Sequence, residues 1–217
     1  KNIEQEVFVI RANQKNRLLE AVLNQYKGSV LVFSRTKHGA KRISNAVKHF
    51  GFTSTDIHSN KSLSQRREAL EGFKRGKYRV LVATDIAARG IDVKGIELVI
   101  NYDIPEGAED YVHRIGRTGR AGETGRAITF ATPEQARHVR DIERLTRSYL
   151  KVSKLPELPP DRALPAPEPY EDPRAARSGS RPFSRNRPPQ RRREGGGGGG
   201  YKGGGEGYRG GGGRKRF

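Results

Sequence analysis

Val80-Leu81-Val82-Ala83-Thr84-Asp85-Ile86-Ala87-Ala88-Arg89-Gly90-Ile91-Asp92 changes character within a few residues. Four apolar residues end abruptly in Thr84-Asp85, and a turn of small residues with Arg89-Gly90 follows. An apolar run this short, bounded by polar groups, is the pattern of a strand buried on both faces. The polar loop then lies at the carboxyl end of that strand, where open α/β sheets bind their ligands.

The same alternation runs outward in both directions. Val7 to Ile10 reads as a short strand. Leu18, Leu19, Val22, Leu23 and Tyr26 fall at helical spacing within Asn13 to Tyr26, and Gly28 stops that helix. Ser29 to Phe33 is a buried-strand run. Ala40, Ile43, Ala46, Val47 and Phe50 mark one face of a helix over His38 to Phe50. Phe52 to Ile57 is a weaker strand. Ser62 with Gln65 three residues on is a capping box that opens the next helix. Arg79 to Ala83, Leu98 to Tyr102 and Ala127 to Ala131 read as strands. Ala108 to Ile115 reads as a helix. A last helix opens at Pro133, with Val139, Ile142 and Leu145 expected to face inward. Strands alternating with helices of this length imply a parallel sheet with helices on both faces and right-handed crossovers. The fold class is α/β, with one sheet expected from the strands near 29–33, 52–57, 79–83, 98–102 and 127–131.

His113-Arg114-Ile115-Gly116-Arg117-Thr118-Gly119-Arg120 places three arginines and a histidine in eight residues. Arg is almost never buried without a partner, so this is poor core material. It is good material for gripping phosphate. Arg is always charged and offers a planar fork of donors, and Gly116 and Gly119 would let the backbone approach a ligand closely. The bland alternative is a solvated basic turn.

Together the 80–92 and 113–120 stretches resemble motifs V and VI of the DEAD-box RNA helicases of superfamily 2. The resemblance covers residues 1 to about 150 and implies a RecA-like domain. Val30 to Lys37 looks like motif IV, from which Thr36 could donate to an RNA phosphate; its bland reading is a helix N-cap. His58-Ser59-Asn60 with Gln65-Arg66 looks like motif IVa, where Arg66 would meet a phosphate. Ser59-Asn60 stands where Gly-Asp is usual, and Leu63 where Gln is usual, so any amide contact at Leu63 is lost. Asn60 resembles the bacterial RhlE-type subgroup. In motif V the resemblance places Thr84 and Gly90 near the RNA backbone, with Asp92 accepting from the ribose hydroxyls of ATP. Asp85 reads as a turn-forming side chain. In motif VI Arg117 and Arg120 match the arginines that meet the γ-phosphate, with Arg120 the candidate arginine finger. His113 and Arg114 would couple to a partner domain. For Arg114 a structural ion pair and a direct catalytic part both stand.

No G-x-x-x-x-G-K-[ST] cradle occurs, since Gly76-Lys77 is followed by Tyr78, and there is no Asp-Glu-Ala-Asp run. The phosphate cradle and the ligands for Mg2+ are therefore expected on an N-terminal RecA-like domain, and this chain alone should not turn over ATP. It starts at Lys1 without any methionine, which reads as an excised piece. The expected function is the C-terminal half of an ATP-dependent RNA helicase. The rivals are a non-catalytic RNA-binding scaffold and a superfamily 2 DNA helicase.

The net charge of +19 points to a polyanionic partner, nucleic acid first. With no cysteine there is no disulfide framework or thiolate metal site, and the five histidines lack metal-ligand spacing. No apolar run approaches the ~20 residues of a membrane span. No signal-peptide pattern opens the chain, and the cytoplasm is the expected compartment. Residues 151–217 carry 16 Lys+Arg against 7 Asp+Glu, first with proline, then with glycine and scattered Phe and Tyr. Such a segment reads as a disordered Arg/Gly-rich tail that binds RNA and is a candidate surface for protein partners.

Overall fold

The computed structural model describes residues 3–88, 93, 95–119 and 124–162, all within one compact unit of residues 1–168. Seven strands occur among them: β1 (Ile3–Val9), β2 (Val30–Phe33), β3 (Ser54–Ile57), β4 (Val80–Ala83), β5 (Leu98–Asn101), β6 (Gly125–Ala131) and β7 (Lys151–Val152). The helices are α1 (Lys15–Gln25), α2 (Lys37–His49), α3 (Leu63–Lys74), α4 (Asp85–Ala88), α5 (Ala108–Ile115) and α6 (Ala136–Thr146). The strands form one sheet in the order β3-β4-β2-β5-β6-β1-β7, and every pairing is parallel. This is the RecA-like α/β architecture expected.

The alternation of side chains along a strand divides the core. On β2, Val30 and Val32 face a cluster with α1 and α2 residues Leu18, Leu23, Ile43 and Val47. Leu31 and Phe33 face the opposite cluster, with Phe73 of α3 and Ala87 of α4. Strands β4 and β5 split the same way. A third cluster joins Val7, Ala127 and Ala131 to Tyr111 of α5 and Ile142 of α6.

Three expectations need correction. The sheet has seven strands, not five. Strand β1 spans Ile3–Val9 and pairs in register with β6, from Ile3 opposite Gly125 to Val9 opposite Ala131. Its polar Glu4, Gln5 and Glu6 break the apolar pattern because this side of the sheet is only half covered. Leu145 does not face inward: it is 47% exposed, while Ile142 is buried. Residues three apart on a helix precess by about 60° per step, so Leu145 has rotated roughly 120° from Val139.

The packed body also runs past the expected boundary at 150. Strand β7 pairs with β1, and Leu158 then packs on the α1–α2 cluster. Arg17 Nε donates to the Pro159 carbonyl at 2.5 Å, and Arg162 pairs with the buried Glu20 at 3.3 Å. Residues 151–162 thus cross α1 as a docked strap. The tail expected beyond it, residues 163–217, lies outside the described residues. Among the described residues no helix is long and apolar enough to cross a membrane.

Candidate functional site

Because every strand is parallel, all their carboxyl ends lie on one rim. The loops after β2, β3, β4 and β5 deliver Ser34-Arg35-Thr36, His58-Ser59-Asn60, Thr84 and Tyr102-Asp103 there. Thr36 caps α2, its hydroxyl oxygen accepting from the Gly39 N–H at 3.0 Å. That bond leaves its own O–H to donate. Ser62 and Gln65 form the expected reciprocal capping box at the start of α3. Arg66, one turn into α3, donates from Nη2 to the Ala87 carbonyl of α4 at 3.3 Å. Thr84 links β3 to α4: its N–H donates to the Ile57 carbonyl and its carbonyl accepts from the Ala88 N–H. Thr36, Arg66 and Thr84 therefore share one edge of the molecule.

Beneath this edge Asp56 Oδ2 lies 2.9 Å from His58 Nε2 and 3.4 Å from Lys61 Nζ. Burial pushes the Asp56 carboxyl up, but the His58 and Lys61 contacts outweigh it and hold the group below its ordinary value. The Asn60 N–H donates to His58 Nδ1 at 3.2 Å, so both ring nitrogens are engaged.

The arginines behave differently from one another. Arg114 is only 2% exposed. Its Nε and Nη2 grip both carboxylate oxygens of Asp85 at 2.6 and 2.7 Å. Nη1 donates to the Asp103 carbonyl at 2.6 Å and to Asn101 Oδ1 at 3.3 Å, and the guanidinium lies over the Phe33 ring. The ion pair, one of the two readings of Arg114, is present in the structure. Asp85 is corrected with it: the side chain is no turn-former but the acceptor of a two-pronged bridge from the first residue of α4 to the last turn of α5.

Beyond α5, Thr118 is buried and donates to the Ile96 carbonyl at 2.5 Å. Gly119 has φ +62, and a Cβ there would come within 2.9 Å of Ile3 and 3.4 Å of the Gly125 nitrogen. A Cβ on Gly125 would come within 2.4 Å of the Gly119 nitrogen. Gly116 has φ −65, open to any residue.

A cleft of about 220 Å3 lies at the foot of this helix, lined by Phe33, Asp85, Ala88, Asp110, His113, Arg114 and Arg117. The Arg114 charge is matched by Asp85, and Arg117, His113 and Asp110 complete the wall. An anionic group fits that donor set. Gly90, Asp92 and Arg120 lie outside the described residues. Among the described residues no cluster of His, Cys, Asp or Glu could hold a metal ion.

Sequence reasoning missed Asp103. Its Oδ2 accepts from the Arg35 N–H at 3.0 Å and from the Ser34 hydroxyl, and Oδ1 lies 3.6 Å from Lys15 Nζ. Lys15 is buried, which pulls its ammonium below the usual range against the pull of Asp103. Its Nζ also donates to the Tyr102 carbonyl at 2.8 Å. The available signal was a lone acid directly after the β5 apolar run.

Residues 13–122 match the family described as "Helicase conserved C-terminal domain". A relative, the ATP-dependent RNA helicase DbpA of Bacillus subtilis, is 45% identical over 144 residues, covering 66% of this chain and 30% of its own. DEAD-box ATP-dependent RNA helicase 14 of Arabidopsis thaliana is 47% identical over 145 residues, covering 65% of this chain and 23% of its own. The chain thus spans about a third or less of the length of these relatives. Among solved structures, E. coli DEAD-box protein SrmB bound to RraA superposes with a TM-score of 0.69 at 31% identity, covering 77% of this chain and 99% of that one. A DEAD box protein from the hyperthermophile Methanococcus jannaschii gives 0.67 at 39% identity, covering 70% and 42%. Fold, rim and sequence agree, and the chain belongs to the DEAD-box RNA helicases as their conserved C-terminal, RecA-like domain.

Proposed function

We propose that this chain is the C-terminal half of an ATP-dependent RNA helicase, which grips the RNA backbone at its rim and supplies arginines to ATP hydrolysis on an N-terminal RecA-like partner. The observation that carries this is the Arg114–Asp85 bridge. It ties the segment bearing Thr84, on the RNA side, to the helix leading into Arg117, on the nucleotide side. A shift at either end is transmitted to the other through a buried, two-pronged contact.

In this reading Thr36, Arg66, Thr84 and Gly90 hold RNA phosphates and ribose, and Asp92 accepts from the nucleotide ribose. Arg117 and Arg120 face the γ-phosphate, where a guanidinium fork stabilises charge on the transferring group. His113 couples to the partner domain, and Arg114 holds the loop from behind. ATP, when bound, supplies the phosphoanhydride whose cleavage drives the cycle; Mg2+ is held by the partner domain. The RhlE-type assignment rests on Asn60 alone. The cytoplasm remains the proposed compartment.

Joined to a P-loop domain of the family, Arg120→Lys should cut RNA-stimulated ATP turnover by several orders of magnitude, since arginine fingers contribute about 10³–10⁵ in rate. RNA binding should stay nearly intact. A change below about threefold in steady-state phosphate release makes Arg120 structural. Without that domain the chain should show no turnover.

The tail should supply much of the RNA affinity, with Phe183, Tyr201, Tyr208 and Phe217 stacking on bases among the cations. The strap fixes where to cut: removal after Arg162 keeps Leu158 and Arg17's contacts, whereas a cut at 155 also opens the α1 surface. Cutting after 162 should weaken single-stranded RNA binding and flatten its salt dependence, which steepens by roughly 0.7 per phosphate contact. Unchanged affinity and slope would assign the tail to protein partners.

A further inference from the structure

The contact between the starts of α2 and α3 is made by Lys37 and Asn60. Lys37 follows the Thr36 cap, and its ammonium donates to Asn60 Oδ1 at 3.0 Å. Asn60 stands two residues before the Ser62 cap of α3, and Arg66 lies one turn beyond that cap. The ammonium is therefore tied to the loop that leads into α3, on the same rim as Thr36 and Arg66, the two residues read above as phosphate contacts.

The chemistry of its holder decides what Lys37 can do. An amide oxygen orients an ammonium through a dipole and leaves its net charge whole. A carboxylate at the same 3.0 Å would cancel that charge. Asp56, on the strand that leads to Asn60, faces His58 and Lys61. Lys37 is half-buried, so its stem is already ordered and little rotamer freedom is left to lose on binding. An ammonium has three donors and Asn60 takes one.

We infer that Lys37 is a further phosphate-binding residue of the rim, and that Asn60 serves as its positioning residue by aiming the ammonium without neutralising it. This rests on the RNA reading of the rim. The ligand group is a backbone phosphate of single-stranded RNA, adjacent to the phosphates met by Thr36 and Arg66. The departure from the common Gly-Asp at 59–60 then has a consequence: Lys37 is held by an amide, which adds no negative charge, where the common pattern places a carboxylate. It also makes Asn60 a control point for affinity, because a single amide-to-acid change offsets the Lys37 charge.

The test uses the full chain and an oligouridylate, read through the backbone amide resonances of Lys37, Gly39 and Arg66. These report occupancy of the rim itself, the tail is identical in every variant and so drops out of the comparison, and the same spectra show that each variant is folded. Lys37→Met and Asn60→Asp should each weaken rim binding roughly five- to tenfold, the size of one charge-assisted phosphate contact, and lower the salt slope by about 0.7. In the double variant the second change should add little, because Asn60→Asp acts through Lys37. Asn60→Ala, which keeps the charge but not the aim, should lose less and keep the slope. Arg66→Ala separates the two levels. If Arg66→Ala weakens the rim while Lys37→Met does not, this inference is wrong and the RNA reading stands. If Asn60→Asp weakens binding by the same factor with or without Lys37, the effect is general repulsion and the inference is again wrong. If none of the variants changes rim binding, the RNA reading itself fails.

Discussion

The two ends of the rim are built on opposite terms. At the foot of α5, Arg114 is nearly inaccessible and uses its donors on Asp85, Asn101 and Asp103. At the starts of α2 and α3, Thr36 and Asn60 are exposed, and Lys37 and Arg66 are half-buried, the first donating to Asn60 and the second to the Ala87 carbonyl. One region fixes geometry, and the other keeps donors available. Buried charges need every partner they can reach, because a lone one is costly. Exposed ones cost little to hold and little to release, which suits a surface that must exchange its ligand. Arg114, for which the sequence left a structural ion pair open, is thus the arginine committed to the fold.

The sharpest way to break this contrast is at Asp85. Asp85→Ala strands a buried guanidinium, and truncating one partner of such a pair costs about 3–5 kcal/mol. The urea midpoint should fall accordingly, with Arg114→Ala close behind. An equal fall from Arg66→Ala would erase the distinction between the two regions.

A second, smaller effect is pH-dependent. The folded Asp56 carboxyl sits below its ordinary value of 3.8, against burial, because His58 and Lys61 favour its charged form. A depressed carboxylate contributes stability above its unfolded value and loses it as pH falls through the folded one. Urea midpoints measured from pH 5 downward should therefore drop as pH passes below 3.8, and Asp56→Asn should flatten that limb. An unchanged limb would mean the Asp56 contacts carry no net charge preference.

The smallest effect is expected at Leu63, the first residue of α3 and 81% exposed. Leu63→Gln should leave stability within about 0.5 kcal/mol. It should strengthen rim binding to RNA by a few-fold, the scale of one neutral hydrogen bond. Weaker binding by the glutamine variant would show that the leucine side chain itself meets the RNA.

Most of the sheet was legible because its central strands are buried on both faces and read as unbroken apolar runs: Val30–Phe33, Val80–Ala83 and Leu98–Asn101. The caps at Thr36 and Ser62 were legible because capping is local chemistry. Strand β1 was clipped, since Glu4 to Glu6 pair through the backbone and show only polar side chains to a reader of periodicity. The Asp85–Arg114 bridge spans 29 residues, and nothing in either segment announces the other. Asp103 and the Lys37–Asn60 contact were invisible for the same reason: they arise only when parallel strands bring separate loops to one edge. The positive φ of Gly119 and its tight packing space against Gly125 were not legible, because they depend on where β6 starts relative to the turn.

The strap has a consequence for solubility. A parallel sheet offers an unpaired row of N–H and C=O groups at each margin, and such margins recruit strands from neighbouring molecules. Here one margin is β7, only two residues long and led by Lys151. The chain then leaves through Pro156, Pro159 and Pro160, which have no N–H to offer. Arg17 and Glu20 hold it down on α1. A second copy finds almost no ladder to extend, so this margin is guarded against self-association by the same residues that finish the domain.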